Sequence, residues 1–111
     1  MRALFAILVL LLCLIAKRAD DPLVIKDSEA VQYVGKNVEV RGLVVTVTTS
    51  PFGATFINFG REYPNQTFAG FIAAGSKIAT DEWIAVTGKI ELHQGKPEIK
   101  VTSTDQIKLM Q

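Results

Sequence analysis

Val38-Glu39-Val40-Arg41-Gly42-Leu43-Val44-Val45-Thr46-Val47 is the stretch on which the fold turns. Val38 and Val40 fall on one side and Glu39 and Arg41 on the other, the two-residue period of a half-buried strand. Past Gly42 the apolar set becomes Leu43, Val45 and Val47, so the alternation changes parity beside a glycine. A β-bulge produces a one-residue slip of this kind. A long strand bent at a bulge can pair in both halves of a small barrel, and this stretch therefore predicts the first strand of one.

Downstream the chain is punctuated as an all-β domain. Ser50-Pro51-Phe52-Gly53 predicts a turn. Ala54 to Gly60 follows as a second strand, with Ile57 and Phe59 on one face and Phe56 and Asn58 on the other. Arg61 to Gln66 connects to a third strand, Thr67 to Ala73, where Phe68 and Ile72 compete with Phe71 for the core. Ala74 to Asp81 is a short connection. Trp83 to His93 sets Trp83, Ala85 and Thr87 against Ile84, Val86, Gly88 and Ile90 and reads as a fourth strand. Gln94-Gly95-Lys96 turns the chain into a fifth strand, Glu98 to Thr102, with Ile99 and Val101 inward, and Ile107-Lys108-Leu109 alternates once more. Upstream, a start at Asp27 or Ser28 and a stop at Gly35 bracket one short helix. There is no internal repeat and no linker long enough to separate a pair of domains, so residues 23–111 are expected to form one domain. Five strands with a bulged first member match the plan of an oligonucleotide/oligosaccharide-binding (OB) barrel, with an open sandwich as the alternative.

The N-terminus predicts where the protein goes. Met1-Arg2 carries a positive charge, Ala3 to Ala16 is unbroken apolar sequence, and Lys17-Arg18-Ala19-Asp20-Asp21-Pro22 turns abruptly polar. This is the layout of a signal peptide spanning residues 1–16, and the apolar run falls short of the ~20 residues of a membrane span. The expected location is secreted or periplasmic. Leu14 and the Lys17-Arg18 pair suit cleavage less well, and an uncleaved anchor, the alternative, is the one route to a membrane contact. Cys13 follows Leu12, where a lipoprotein would carry a small residue.

Cleavage after Ala16 leaves 95 residues with 11 basic and 11 acidic side chains and no cysteine. An exported domain of this size without disulfides must draw its stability from one continuous apolar core. Neutrality also excludes a protein that coats nucleic acid by bulk attraction. The mature chain holds one histidine and no metal-ligand spacing, so a thiol nucleophile and a zinc site are excluded on inventory. Asp81-Glu82 point to opposite faces of an extended chain and make no catalytic pair. Neither catalysis nor a cofactor is expected.

Five segments together carry a resemblance: Tyr33-Val34-Gly35-Lys36-Asn37-Val38-Glu39-Val40-Arg41-Gly42, Phe56-Ile57-Asn58-Phe59-Gly60, Tyr63-Pro64-Asn65-Gln66-Thr67-Phe68, Val86-Thr87-Gly88-Lys89-Ile90 and Gly95-Lys96-Pro97-Glu98-Ile99. Over residues 31–109 the chain resembles small secreted bacterial OB-fold domains of the nucleic-acid-binding, tRNA-anticodon-like type. It departs from them in its short connection after Ala73. The resemblance implies a binding surface on the outer face of strands two and three with the loops after strands one and four. On this chain that surface comprises Phe52, Phe56, Asn58, Arg61 and Tyr63, with His93 and Lys96 across the groove. Rings there would stack on bases while cations meet phosphates. Each residue also has a plainer role: Phe56 as core, Tyr63 packing its turn, Asn58 satisfying backbone groups, and His93, Arg61 and Lys96 as surface polars.

OB barrels bind nucleic acids, sugars and proteins alike. The expected partner is single-stranded nucleic acid or a nucleotide. The competing readings are a periplasmic small-ligand or envelope-stress OB protein and a protein-interaction domain docking through its aromatic face.

Overall fold

In the computed structural model the described residues are 21–110, and the expected signal peptide lies outside them. The long strand predicted around Gly42 runs over Asn37–Thr49 and organises the sheet. We number the strands β1 (Leu23–Lys26), β2 (Asn37–Thr49), β3 (Thr55–Phe59), β4 (Phe68–Ile72), β5 (Trp83–Lys89), β6 (Glu91–His93), β7 (Lys96–Val101) and β8 (Ile107–Leu109). The short helix is a 3-10 helix, Asp27–Tyr33, and a second 3-10 turn covers Thr104–Gln106. The expected all-β character holds, but eight strands stand among the described residues where five were expected.

The parity change in β2 is real but sits elsewhere. The antiparallel ladder of β2 with β5 runs unbroken from Asn37↔Lys89 to Leu43↔Trp83, straight through Gly42. The register slips against β3 instead, between Val44 and Thr46. The inward set is thus Val38, Val40, Gly42 and Val44, with Val47 packed on the core beyond the slip, whereas Leu43 is exposed. Three apolar residues in succession, Leu43-Val44-Val45, are compatible with either parity, which is why the sequence pattern puts the bulge too early.

A closed barrel does not form. The strand order is β6-β7-β4-β3-β2-β5-β8, with β1 added parallel to β2, and the sheet is open between β5 and β7. The edges needed for closure are already occupied: β8 pairs Ile84 to Val86 of β5, and β6 pairs Lys96 to Glu98 of β7. Where both edges are free, side chains span the gap. Gln106 Nε2 donates to Thr87 O at 3.0 Å and to Lys100 O at 3.2 Å, and a Cβ on Gly88 would lie 2.6 Å from Ile99 Cγ2. Inside, Val38, Val40, Val44, Ile57, Phe59, Phe68, Ile84, Val86, Ile90 and Ile99 form a continuous core, and the Phe59 and Phe68 rings meet at 5.2 Å.

The strand expected over Trp83 to His93 breaks at Ile90. Its backbone turns to the loop before β2, donating to Lys36 O and accepting from Gly35 N, while its side chain is fully buried. The chain then starts the β6–β7 hairpin. Gln94 and Gly95 both have positive φ, 52° and 79°, as a two-residue turn matched to the strand twist requires.

Candidate nucleic-acid interface

Alternation along β3 buries Ile57 and Phe59 in the core and turns Phe56 and Asn58 to the opposite face. Register carries that face across the sheet. Thr46 of β2, Asn58, Ala69 of β4, Glu98 of β7 and Glu91 of β6 stand in one row. Thr48, Phe56, Phe71 and Lys100 form the next. The Phe56 and Phe71 rings lie 5.0 Å apart at 53°, a tilted pair in the favourable range.

Three connections rise around these rows and enclose a pocket of about 320 Å3. The β2–β3 turn contributes Ser50 and Pro51. The Ser50 hydroxyl organises this turn by accepting from the backbone N–H groups of Phe52 and Ala54. The β3–β4 connection contributes Tyr63, which sits with cis Pro64 at the centre of a hydrogen-bonded turn from Glu62 to Asn65, together with Gln66. The β6–β7 hairpin contributes His93 and Gln94. The Tyr63 hydroxyl donates to Gln94 Oε1 at 3.1 Å and so ties the second connection to the third across the opening.

The polar groups of the pocket are unusual in what they lack. Asn58 is 1% exposed and its Nδ2 donates to the hydroxyls of Thr46 (3.2 Å) and Thr48 (3.4 Å). Its Oδ1 has no hydrogen-bond partner, and neither does Oε1 of Gln66, which is 6% exposed. An orphaned buried acceptor costs about 1–3 kcal/mol, so two in one pocket are a departure from ordinary packing.

Glu98 lines the same pocket and is 5% exposed. Burial raises its pKa above the usual 4.5; His93 and Lys100 pull it down and Glu91 adds to the rise. A carboxyl with a raised folded pKa opposes folding once it must ionise, so stability falls as pH climbs from about the unfolded pKa through the folded one. Glu98→Gln should therefore raise the thermal midpoint at neutral pH, with the gain vanishing below pH 4.5. A gain independent of pH would show that burial of the charge is not the cause.

Of the seven residues marked by the sequence, the structure brings Phe56, Asn58, Tyr63 and His93 into the pocket. Phe52 stands at the tip of the β2–β3 turn, 96% exposed, and Arg61 is exposed on the β3–β4 connection. Lys96 is half-buried, opposite His93 in the hairpin, and does not line the pocket. Sequence reasoning misses Gln66, Gln94 and Glu98. Gln66 falls in a loop, and an inward-turned amide there has no periodicity to reveal it. A signal for Glu98 does exist: it alternates with inward Ile99, which places it on the same face as Asn58.

No family model matches the chain, and no curated protein matches it. Among solved structures it is similar to the crystal structure of "a putative aspartyl-tRNA synthetase from Leishmania major Friedlin", with a TM-score of 0.57 and 18% identity over 85% of this chain and 22% of that one. The chain thus spans about a fifth of the length of that protein. At this identity the likeness is one of fold.

Proposed function

We propose that this domain is an exported, non-catalytic OB module that binds single-stranded nucleic acid or nucleotides. One observation carries the reading: the rings of Phe56 and Tyr63 share a pocket with the buried amides of Asn58 and Gln66. That pocket lies on the outer face of β3 with the β2–β3 turn and the β6–β7 hairpin beside it, where an OB barrel takes its ligand. Two features support the assignment. The main strands run β7-β4-β3-β2-β5, and an OB barrel is itself a partly open five-stranded structure. The solved chain of similar fold bears the name of a synthetase that acts on tRNA, which favours nucleic acid in general.

The chemistry of the site shifts the weight from phosphates to bases. Glu98 and Glu91 stand beside the pocket with His93, while Lys96 and Arg61 lie outside its lining. A surface for a polyphosphate backbone would gather cations; this one gathers rings and acceptors.

Fluorescence anisotropy of purified protein with short labelled oligonucleotides should show saturable binding at low salt. No saturation by oligonucleotides or nucleotides would overturn the reading in favour of another small ligand or a protein partner. Export is tested separately: exported material should begin near Lys17, and recovery solely as full-length cytosolic protein would remove that element of the proposal.

A further inference from the structure

Resting on that reading, we infer that the pocket between Phe56, Tyr63 and the β6–β7 hairpin takes one unpaired guanine, whose N1–H and 2-amino groups donate to the carboxylate of Glu98. The inference starts from a carboxyl that has no partner of its own. Glu98 is 5% exposed and lines the pocket, and its oxygens meet neither a hydrogen-bond donor nor a cation among the described residues. They are nevertheless within reach. The unpartnered side-chain atoms sealed from solvent are Asn58 Oδ1 and Gln66 Oε1, and the Glu98 oxygens are not among them.

The register sets Glu98 between Ala69 of β4 and Glu91 of β6, on the face opposite the inward Ile99. Among the charged groups that act on its carboxyl, His93 is the strongest, ahead of Lys100 and Glu91. His93 lines the same pocket, so the carboxyl stands toward the hairpin that forms one of the pocket's walls.

A carboxylate this far removed from water is costly unless donors meet it. The chain does not supply them: Lys100, next on the same face of β7, reaches Glu91 at 3.8 Å instead. Donors must therefore arrive with the ligand. An ionised carboxylate is an acceptor only and can take a pair of parallel N–H bonds. The Watson–Crick edge of guanine offers that pair. Adenine and cytosine set a ring-nitrogen acceptor beside their amino group, and thymine and uracil flank a lone N–H with carbonyl oxygens, so each would turn a lone pair on the carboxylate. Donated bonds also favour the charged carboxyl, so guanine would hold Glu98 in the form that recognises it.

The Phe56 and Tyr63 rings offer the flat base apolar faces to lie against. The volume, about 320 Å3, is at the small end of the ~300–1,000 Å3 of ligand pockets. One base fits that scale and a run of stacked bases does not. A site built to pair with a donor rejects an analogue that lacks it, because its own buried group is then stranded.

The test compares labelled dT pentamers whose central base is guanine, hypoxanthine, adenine, cytosine or thymine; hypoxanthine is guanine without its 2-amino group. Central guanine should bind most tightly, and hypoxanthine in its place should weaken binding roughly 5- to 150-fold, the range for one good bidentate contact. Glu98→Gln replaces one acceptor with a donor at the same size and should abolish the guanine–hypoxanthine difference, while the wild-type comparison stands by itself if that variant fails to fold. Equal affinity for all the pentamers would overturn this inference and leave nucleic-acid binding standing. So would tightest binding of adenine, cytosine or thymine, equal binding of guanine and hypoxanthine, or a guanine preference that survives in Glu98→Gln. Absence of binding to every pentamer and to free nucleotides would overturn both.

Discussion

Gly42→Val is expected to lower the thermal midpoint by roughly 4–24 °C, equivalent to about 1–3 kcal/mol in a domain of this size. Gly42 lies on the inward face of β2, where a Cβ would stand 2.8 Å from Asp27 Oδ1 and 2.9 Å from Phe59 Cδ2. Neither neighbour can yield cheaply. Asp27 Oδ2 accepts from the Thr67 hydroxyl at 2.6 Å, linking the first 3-10 helix to the start of β4, and the Phe59 ring is fully buried and packed on Phe68. A valine must therefore displace a core ring, break the Asp27–Thr67 link, or bow β2 away from it. Gly42→Ala should show a smaller loss in the same direction, since it adds the Cβ without the branch. A midpoint unchanged in Gly42→Val, measured by thermal unfolding followed by circular dichroism, would mean that β2 shifts freely at this point and that the close approach has no energetic weight.

The glycine is legible in the sequence as a special position, but for a reason the structure replaces. Alternation finds the strand and reveals that its parity changes, because Val38, Glu39, Val40 and Arg41 leave one choice of face. It does not locate the slip within Leu43-Val44-Val45, where every residue is apolar. What resolves that ambiguity is long-range: the same strand pairs with β5 in its first half and β3 in its second, and the slip falls where the partner changes.

The same limit explains the strands. Each expected strand has a counterpart because its period is local, whereas β1, β6 and β8 are three- or four-residue segments: β6 falls inside the strand expected over Trp83 to His93, and the alternation of Ile107-Lys108-Leu109 is too short to mark a strand without its neighbour β5. Leu23-Val24-Ile25-Lys26 has no clear period, and it becomes β1 by lying parallel to Val38 through Arg41. The open seam between β5 and β7 is illegible for a related reason: it depends on which edges β6 and β8 take, and no single segment encodes that. The site divides along similar lines. Phe56 and Asn58 can be read from the parity of β3, while the contribution of Gln66 depends on how a loop folds back over the sheet.

Phe56→Leu should weaken single-strand binding roughly 5- to 150-fold, the equivalent of losing one stacked base at about 1–3 kcal/mol, and should leave the salt dependence of binding unchanged. Leucine keeps apolar bulk beside Phe71 and removes the flat face on which a base lies, so a fall in affinity with an unaltered melting profile isolates stacking from packing. Tyr63→Phe provides the matching control, because it keeps the ring and deletes the hydroxyl that bonds Gln94; its affinity should stay closer to wild type than that of Phe56→Leu. The cations outside the pocket supply the opposite signature. Arg61→Ala and Lys96→Ala should each reduce the slope of log affinity against log salt by about 0.7 if the side chain meets a phosphate of a single strand. Their effect on affinity at physiological salt should be the smaller one, since a charge at the rim facing a screened phosphate gains little there. A formal net charge of only +1 sharpens the contrast, because no general basic field hides the loss of one cation. Anisotropy titrations at several salt concentrations measure both quantities on the same samples. If Phe56→Leu bound as tightly as wild type while the two cation variants lost binding altogether, the nucleic acid would be held by its backbone at the rim, and the pocket between Phe56 and Tyr63 would belong to some other ligand.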